Sequence, residues 1–443
     1  MIQRSAIQRL EQWRVSADRK PLIIRGARQV GKTTLVDQFS AQFDNYLYVN
    51  LDFESARNLF DEEDIVTLVD RLHIYCRKKK SEGDTLLFID EIQNSPKAVK
   101  SLRYFKEKMP QLFVIAAGSL LESLIDTHIS FPVGRVEYMA LRPCSFVEFL
   151  NGIGEEYDAE IVKSLSADAV HSRMMTHFLN YMVVGGMPEA IMKYAEKRDV
   201  LSVDNVYNSF LNAYNDDVQK YAKNKTMAMV ISHILRNGWA YAAERISFNN
   251  FANSNYRSRE VAEAMRTIER ALIIELAYPV TVPKVPLIPN FNRKPKLLWI
   301  DTGLANYCSG VRMDIFNVDD IMSVWKGRMV EHIVAQELVA KKFEYGVRRN
   351  YWVRDANGAS SEVDFIYQYD NKVIPIEVKS GTNAKLRSLH QFMELAPHDI
   401  AVRVWPGMFS VDNLATPSGR PFRLVNLPLY YVGQLDKVLR ELL

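Results

Sequence analysis

The stretch from residue 26 to residue 33, Gly-Ala-Arg-Gln-Val-Gly-Lys-Thr, has the residue types and spacing of a loop that holds phosphate groups. Its two glycines permit backbone angles that turn amide N–H groups toward an anion. Lys32 can reach the β- and γ-phosphates of a nucleotide, and the hydroxyl of Thr33 can ligate Mg²⁺. We predict a nucleoside triphosphate site with contacts from Gly26, Ala27, Arg28, Gln29, Val30, Gly31, Lys32, Thr33 and Thr34.

The elements on either side of this loop fit that chemistry. Residues 22–24 are an apolar run that predicts a short strand, and residues 34–39 are compatible with a helix. A helix that begins there points its positive end at the phosphates. The alternative is a glycine-containing turn that only resembles a phosphate loop, but the strand before it and the helix after it favour nucleotide binding.

Two carboxylates directly follow the four apolar residues 86–89. Asp90, at the end of the predicted strand, is placed to hold the Mg²⁺ shell, and Glu91 is placed to polarise the attacking water. An apolar run that ends in Asp-Glu can also be a chance strand terminus. The phosphate loop upstream favours the catalytic interpretation.

Two further residues could contact the nucleotide. Ser119 follows the predicted strand 112–117 and could sense the γ-phosphate, or it could cap a helix that begins at Leu120. Arg135 lies in a loop before another apolar stretch and could stabilise phosphoryl-transfer charge, in cis or from a neighbouring subunit. The alternative for Arg135 is a surface salt bridge.

A second group of chemical residues lies in the last third of the chain. Residues 362–367 and 373–380 read as a hairpin around a turn at residues 370–371. Glu377 and Lys379 fall on one face of the returning strand, and Asp364 lies nearly opposite them. Asp364 and Glu377 could bind Mg²⁺ and Lys379 could position a water, which is metal-assisted phosphodiester hydrolysis. Ordinary cross-strand charge pairing is the alternative.

The other elements position these residues. Residues 1–20 predict an amphipathic helix, residues 46–51 a second strand, and residues 151–222 a helical lid or connector. Residues 227–238, 243–254 and 259–276 predict three helices, and residues 277–282 and 296–300 predict two strands, which together make a winged helix. Basic residues on the third helix and wing support contacts with DNA phosphates: Arg257, Arg259, Arg266, Arg270, Lys284, Arg293, Lys294 and Lys296. A packing and protein-contact module is the alternative.

Composition bounds the class of protein. A chain of 443 residues is expected to form two to four domains, and its 48% hydrophobic and 25% charged residues are those of a soluble globular protein. The net charge of +3 is too small to imply a nucleic-acid partner by itself. Three widely spaced cysteines suggest neither a disulfide framework nor a zinc site, and no apolar stretch is long enough for a membrane span. We expect a cytoplasmic protein with no membrane partner.

Several motifs resemble a prokaryotic family of AAA-type ATPases whose C-terminal region has no assigned function. They are the loop GARQVGKT, DEIQ at residues 90–93, AAGS at 116–119, GR at 134–135 and RPCSFVEFL at 142–150. GGMPEA at residues 185–190 and LLWIDTGLANY at 297–307 extend the likeness over nearly the whole chain. The resemblance implies a RecA-like core in which Lys32, Thr33, Asp90 and Glu91 match the motif positions. It also implies that Asn50, at the end of the second strand, restrains the catalytic Glu91.

The group at Asp364, Glu377 and Lys379 is similar to the restriction-endonuclease-like superfamily. That resemblance implies a further acid from the preceding helix, which Glu331 matches. Val363 departs from the proline common before the aspartate.

We therefore predict an α/β protein of four parts. They are a RecA-like AAA-type P-loop ATPase domain (1–150), a helical lid or connector (151–222), a winged helix (223–308) and a restriction-endonuclease-like α/β domain (309–443). The predicted cofactors are ATP and Mg²⁺, and a homo-oligomer is possible. One hypothesis is an ATPase that acts on DNA through a Mg²⁺-dependent nuclease-like site. The other is a nucleotide-dependent regulatory switch whose nuclease-like domain is an inactive binding module for a protein partner.

Overall fold

A parallel five-stranded sheet forms the N-terminal part of the fold. The computed structural model describes residues 2–80, 82–119, 134–310, 323–354, 361–381 and 386–443. The strands of this sheet are β1 Leu22–Arg25, β2 Asn45–Asn50, β3 Thr85–Asp90, β4 Phe113–Gly118 and β5 Glu137–Ala140. Their order is β2-β3-β4-β1-β5, and every neighbouring pair is parallel. The predicted α/β class with a parallel core is confirmed.

Helices cover both faces of this sheet. They are α1 Ala6–Arg14, α2 Lys32–Ser40, α3 Glu54–Leu59, α4 Ile65–Tyr75 and α5 Pro96–Lys108. Because side chains alternate along a strand, Ile23 packs with α4 and α5, whereas its neighbours Leu22 and Ile24 pack with α1 and α2. The predicted N-terminal amphipathic helix is confirmed, since α1 buries Ala6, Leu10 and Trp13.

The parallel register brings the carboxyl ends of the strands to one edge of the sheet. Arg25 at the end of β1 pairs with Gly118 of β4 and with Ala140 of β5, while Asn50 of β2 pairs with Asp90 of β3. Ligands of open parallel sheets bind outside this edge. The loop after β1 and the residues after β3 therefore meet above the sheet.

Five helices follow the sheet and confirm the helical pattern predicted for this part of the chain. They are α6 Phe146–Gly152, α7 Glu156–Ser164, α8 His171–Val184, α9 Pro188–Lys197 and α10 Asp204–Tyr221. A capping box starts α6, in which the Ser145 hydroxyl bonds the Glu148 backbone and the Glu148 carboxylate bonds the Ser145 backbone. Pro188 occupies the first turn of α9, where its missing N–H costs nothing.

The middle region differs from the prediction in two ways. Its elements are α11 Lys225–Asn237, α12 Ser258–Arg270, β6 Ile274–Ala277, β7 Pro279–Val280 and β8 Lys296–Trp299. The helix predicted over residues 243–254 is wrong, because Asn250, Ala252 and Asn253 have left-handed backbone angles that leave only a short 3₁₀ turn.

The second difference concerns strand pairing. β8 pairs antiparallel with β6, which the sequence assigned to the end of a helix, whereas β7 pairs in parallel with Tyr351 and Trp352, far along the chain. The winged helix is not shown by this arrangement and remains a prediction.

A mixed seven-stranded sheet forms the C-terminal part. Its remaining elements are α13 Thr302–Ser309, α14 Ser323–Ala340, β9 Asn350–Val353, β10 Glu362–Tyr369, β11 Lys372–Val378, α15 Arg387–Leu395, β12 Ile400–Trp405, β13 Ser410–Ala415, β14 Pro421–Pro428 and α16 Leu435–Leu442. The strand order is β13-β14-β12-β11-β10-β9-β7. The predicted hairpin is confirmed, since β10 and β11 pair antiparallel with Phe365 opposite Ile376. The restriction-endonuclease-like identity of this part is not shown.

Across the ranges that the structure describes, no helix combines the length and apolar character needed to cross a bilayer.

Candidate nucleotide site and C-terminal carboxylate centre

The phosphate loop between β1 and α2 requires its glycines. Gly31 caps α2 with a φ of 94°, a left-handed conformation that favours glycine, and Gln29 has a φ of 65°. A Cβ added at Gly26 would lie 2.6 Å from the carbonyl oxygen of Leu141. The loop is therefore packed closely against the chain that follows β5.

Lys32 is buried at the start of α2. Its ammonium donates hydrogen bonds to the carbonyl oxygens of Gly26 (2.9 Å) and Ala27 (3.0 Å). Burial lowers the pKa of Lys32, and the carboxylates of Glu91 and Asp90 oppose that shift. The ammonium thus lies inside the loop, where phosphate oxygens would meet it.

Thr33 and Asp90 come together across the sheet edge. The hydroxyl of Thr33 donates to Asp90 Oδ2 at 2.8 Å, and the phenol of Tyr48 lies 3.4 Å from the same oxygen. Burial raises the pKa of Asp90 despite these hydrogen bonds. A hydroxyl and a carboxylate side by side are the oxygen ligands that Mg²⁺ takes from proteins at nucleotide sites. The residues present therefore fit the predicted Mg²⁺.

Glu91 extends from a strained backbone toward the same space. Its φ is 51°, and its carboxylate accepts a hydrogen bond from the side-chain amide of Gln93. Burial raises the pKa of Glu91, which suits a group that must accept a proton. Asn50, which the resemblance implied as the partner of Glu91, instead accepts from the backbone N–H of Asp52 at 2.8 Å. Sequence reasoning missed Gln93, although it lies within the quoted DEIQ motif.

A cavity of about 650 Å³ opens beside the loop. It is lined by Ile2, Arg4, Arg28, Gln29, Gly31, Lys32, Thr33, Thr34, Leu35, Gln38, Glu91, Pro188, Glu189 and Met192. Its size is that of a small-molecule site, and the first turn of α9 closes one side. The motif GGMPEA therefore reaches the cavity through Pro188 and Glu189, a role that sequence reasoning did not give it.

Arg4 and Arg28 connect the loop to distant segments. Arg4 donates to the carbonyl oxygen of Val30 at 3.1 Å and also pairs with Glu148 at 3.4 Å. Arg28 donates to Asp217 of α10 at 2.6 Å. No local spacing marks Arg4 or Asp217 as site residues, so sequence reasoning missed both.

Ser119 and Arg135 lie at opposite ends of the strands of the parallel sheet. Ser119 follows β4 at the carboxyl ends of the strands, and the helix predicted to begin at Leu120 lies outside the described residues. Arg135 precedes β5 at the amino edge and pairs with Glu107 at 3.0 Å. Because the phosphate loop leaves the carboxyl ends of the strands, this arrangement does not bring Arg135 to the loop of its own chain, and a role from a neighbouring subunit remains a prediction. The surface salt bridge is what the structure contains.

The four residues predicted for the C-terminal site lie around one further residue, Lys296 of β8. The Lys296 ammonium lies 2.5 Å from Glu331 Oε1, 2.8 Å from Glu362 Oε1 and 3.8 Å from Asp364 Oδ1. Lys379 donates to Glu377 Oε1 at 2.6 Å, and Asp364 Oδ2 accepts from the backbone N–H of Val378 at 2.8 Å. We refer to these residues as the carboxylate centre: Lys296, Glu331, Glu362, Asp364, Glu377 and Lys379.

Burial governs the electrostatics of this centre. Burial raises the pKa of Glu331, Asp364 and Glu377. Acting alone, burial would lower the pKa of Lys296. The facing carboxylates more than reverse the effect on Lys296, whose pKa is raised overall. Lys296 was predicted to contact DNA from the wing, and this role is wrong here because its side chain is only 3% exposed.

Most of the other basic residues predicted to contact DNA are at the surface. Arg257, Arg259 and Arg266 of the α12 segment are exposed, as are Lys284, Arg293 and Lys294 of the loop before β8. Arg270 is partly buried, and its carbonyl oxygen lies 3.5 Å from Arg25. The basic surface on α12 is therefore accessible to a polyanion.

Family models match three parts of the sequence. Residues 18–150, which contain the loop, Asp90 and Glu91, match a model described as an AAA domain. This part of the chain is an AAA-type ATPase domain with a RecA-like sheet. Residues 175–314 and 326–421 match two models described as domains of unknown function (DUF8612 and DUF4143). No curated protein matches the chain.

Distant likenesses appear among solved structures. The Walker-type ATPase PABY2304 of Pyrococcus abyssi is 12% identical with a TM-score of 0.41, covering 70% of this chain and 96% of that one. C. elegans PCH-2 is 11% identical, with a TM-score of 0.27 and coverage of 44% and 61%. The S. cerevisiae Hsp104–ADP complex is 12% identical, with a TM-score of 0.28 and coverage of 77% and 44%. The chain spans less than two thirds of the last two proteins.

Proposed function

We propose that this AAA-type ATPase binds ATP with Mg²⁺ in the cavity beside the phosphate loop and hydrolyses it. The observation that carries the proposal is the 2.8 Å hydrogen bond from Thr33 to Asp90. It joins the loop to the end of β3 with the two oxygen ligands that Mg²⁺ would use. Held by these two oxygens, Mg²⁺ would offset the negative charge of the phosphates.

The chain's own residues perform the remaining steps. Lys32 is held at the loop by its backbone contacts and binds the terminal phosphates. Glu91 accepts the proton of the attacking water, a role that its raised pKa supports. Gln93 orients the Glu91 carboxylate by its hydrogen bond.

Binding and hydrolysis are tested by two substitutions. Fluorescent ATP binding and phosphate release are measured for Lys32→Ala and Glu91→Gln, with Lys97→Ala and Glu107→Gln as exposed controls of matching chemistry. Lys32→Ala should lose ATP binding, whereas Glu91→Gln should bind ATP and lose about 100-fold or more of hydrolysis. Unchanged ATP binding by Lys32→Ala would contradict the proposal.

We further propose that the nucleotide state is passed to the C-terminal part of the chain, as in a regulatory switch. Arg25 directly precedes the loop, and its guanidinium lies 3.9 Å from the ring centre of Tyr345. Ala140 of β5 donates to the carbonyl oxygen of Phe343 at 2.7 Å. A structural change at the phosphate loop can therefore be transmitted through these direct contacts to the segment that follows α14.

Within that switch, we propose that the C-terminal domain is a binding module rather than a nuclease. The specific observation is Lys296, whose ammonium lies among the carboxylates that a nuclease would use for Mg²⁺. The nuclease hypothesis draws support from Glu331, Asp364, Glu377 and Lys379 lying around one centre. Lys296 weighs against it, because an ammonium and a metal ion compete for the same oxygens.

A DNA assay separates these roles. Supercoiled and linear DNA are incubated with Mg²⁺, ATP and either the parent protein or Asp364→Ala. We expect intact DNA in every reaction, and cleavage by the parent that disappears in Asp364→Ala would overturn the binding-module proposal. Mobility shifts at two salt concentrations, with Arg259→Ala/Arg266→Ala, test whether the exposed face of α12 binds DNA.

A further inference from the structure

The ammonium of Lys296 is fixed inside the carboxylate centre by its strand. β8 pairs with β6, so that Lys296 lies opposite Ala277. On the other side of β8, Lys296 forms an isolated antiparallel β-bridge with Arg245. The Lys296 side chain also lies near the rings of Tyr351 (5.0 Å) and Phe365 (5.4 Å), and it is only 3% exposed. These contacts hold the ammonium in one position.

The negative charges of the carboxylate centre are nearly balanced by positively charged side chains of the protein. Lys296 faces Glu331, Glu362 and Asp364, and Lys379 faces Glu377. Arg245 adds a third cation, since its Nε lies 3.2 Å from the second oxygen of Glu362. Three cations thus face four carboxylates, so the centre needs no bound metal to offset its negative charge.

The positions of the carboxylates also fit an ammonium better than a metal ion. The distance of 2.8 Å from Nζ to Glu362 is that of a charge-assisted hydrogen bond, and Glu331 lies closer still at 2.5 Å. Within the described ranges, no three carboxylates of the centre lie close enough together to ligate one ion. A Mg²⁺ ion held by three of these carboxylates therefore does not fit while the Lys296 ammonium lies among them.

One oxygen of the centre has no partner. Glu377 Oε2 is buried without a hydrogen bond, while the other oxygen of this carboxylate accepts from Lys379. Its nearest charged neighbours include Asp364 and Lys296. A buried, unpartnered carboxylate oxygen is a ligand that a cation could use if Lys296 were absent.

We propose that Lys296 is a resident cation that takes the place of a divalent metal ion and closes the carboxylate centre to Mg²⁺ and Mn²⁺. This inference rests on the binding-module role proposed above and names what keeps the centre inactive. Removal of the ammonium leaves Glu331, Glu362 and Asp364 facing one another without their shared cation. Without the ammonium that spaces them, these carboxylates can close around a divalent ion that offsets their repulsion.

Mn²⁺ uptake by the nucleotide-free, full-length protein tests this proposal. The free Mn²⁺ signal is followed by electron paramagnetic resonance for the parent, Asp364→Asn, Lys296→Met and Lys296→Met/Asp364→Asn. The parent and Asp364→Asn should take up the same amount of Mn²⁺. Lys296→Met should bind one more Mn²⁺ per chain, and the double variant should lose that ion. Lys296→Arg, which keeps the charge, should behave as the parent.

Two results overturn the inference. One is greater Mn²⁺ uptake by the parent than by Asp364→Asn, which means that metal enters despite Lys296. The other is a folded Lys296→Met that binds no additional ion. If Lys296→Met fails to fold, as judged by circular dichroism, the comparison of the parent with Asp364→Asn still decides the question. Because the readout is metal uptake, the result is independent of DNA cleavage and of ATP hydrolysis.

Discussion

The guanidinium of Arg28 in the phosphate loop donates a hydrogen bond of 2.6 Å to the carboxylate of Asp217, 189 residues further along the chain. Asp217 is only 3% exposed, and its other oxygen lies 2.9 Å from Lys220. The pair joins the nucleotide cavity to α10, which leads directly into α11. The Asp217 carboxylate of α10 therefore offsets part of the positive charge of the phosphate loop.

Asp217→Asn should increase the affinity for ATP. Without the Asp217 carboxylate, the charge of Arg28 at the cavity is no longer offset, and the loop attracts phosphates more strongly. At an effective dielectric constant of about 20, the change corresponds to about tenfold in affinity. Titration with fluorescent ATP at fixed ionic strength measures it.

The neighbouring residue supplies the control for that prediction. Asp216 is exposed on the same helix, so Asp216→Asn removes the same charge away from Arg28. It should leave ATP affinity within about twofold of the parent because exposed charges are screened by salt. Weaker ATP binding by Asp217→Asn, or equal effects of both substitutions, would show that the Arg28 pair does not control the loop.

Gln93→Ala should lower the hydrolysis rate while leaving ATP affinity unchanged. The Gln93 amide contacts the Glu91 carboxylate, so its loss lets the proposed base move away from the attacking water. Misplacement of a catalytic group reduces kcat by about 10- to 100-fold. Steady-state phosphate release, analysed as separate kcat and KM values, measures the effect.

The pH profile distinguishes this positioning role from a structural one. The Gln93 hydrogen bond lowers the pKa of Glu91 against the raising effect of burial. Gln93→Ala should therefore move the acidic limb of the rate profile to higher pH. Asn50→Ala, at the position that the resemblance implied, should change the rate less. A larger loss of hydrolysis rate in Asn50→Ala than in Gln93→Ala would favour Asn50 as the residue that restrains Glu91.

The elements that carry the candidate nucleotide site could be predicted from sequence because their signals are local. An apolar run, two glycines and a lysine within one short stretch determine the path of the loop, and Asp90 and Glu91 directly follow their strand. The hairpin of β10 and β11 was also predictable, since its turn and alternation lie within one segment. Residues whose roles depend only on neighbours in sequence were placed correctly on their elements.

Residues that depend on distant partners could not be placed in this way. Lys296 lies in a basic stretch that reads as a nucleic-acid contact, but its partner Glu331 is 35 residues away on α14. Arg135 lies in a loop before an apolar stretch and was expected to stabilise phosphoryl-transfer charge, yet the parallel pairing of β5 with β1 puts it at the end of the sheet away from the phosphate loop. The predicted helix at residues 243–254 failed because left-handed residues and a pairing of Arg245 with Lys296 override its helical pattern.

Arg135→Ala should leave the hydrolysis rate of isolated chains unchanged. Arg135 lies at the amino edge of the sheet, where it pairs with Glu107, and cannot reach a phosphate at the carboxyl edge of the same chain. The measurement is phosphate release at a protein concentration at which sedimentation shows monomers. Arg103→Ala removes the other arginine bound to Glu107 and is the control. A loss of about tenfold or more in monomers would establish a cis role.

Glu337 of α14 is a buried carboxylate that contacts two of the helices that follow the ATPase sheet. One of its oxygens accepts hydrogen bonds of 2.8 Å from the backbone N–H of Phe146 and from the hydroxyl of Tyr181. Burial raises its pKa to about 7. The folded protein therefore retains this proton at pH values at which the unfolded chain has lost it, and stability falls as pH rises from about 4.5 to about 7.

Glu337→Gln should remove this pH dependence. The amide oxygen can still accept from Phe146 and Tyr181, but the side chain no longer ionises. The parent should lose on the order of 3 kcal/mol of unfolding free energy through this group between pH 5 and pH 8, and the variant should not. Denaturant midpoints at both pH values measure the difference. Glu344→Gln, at an exposed position near the end of α14, should follow the parent, and an equal slope in Glu337→Gln would mean that Glu337 is ionised throughout.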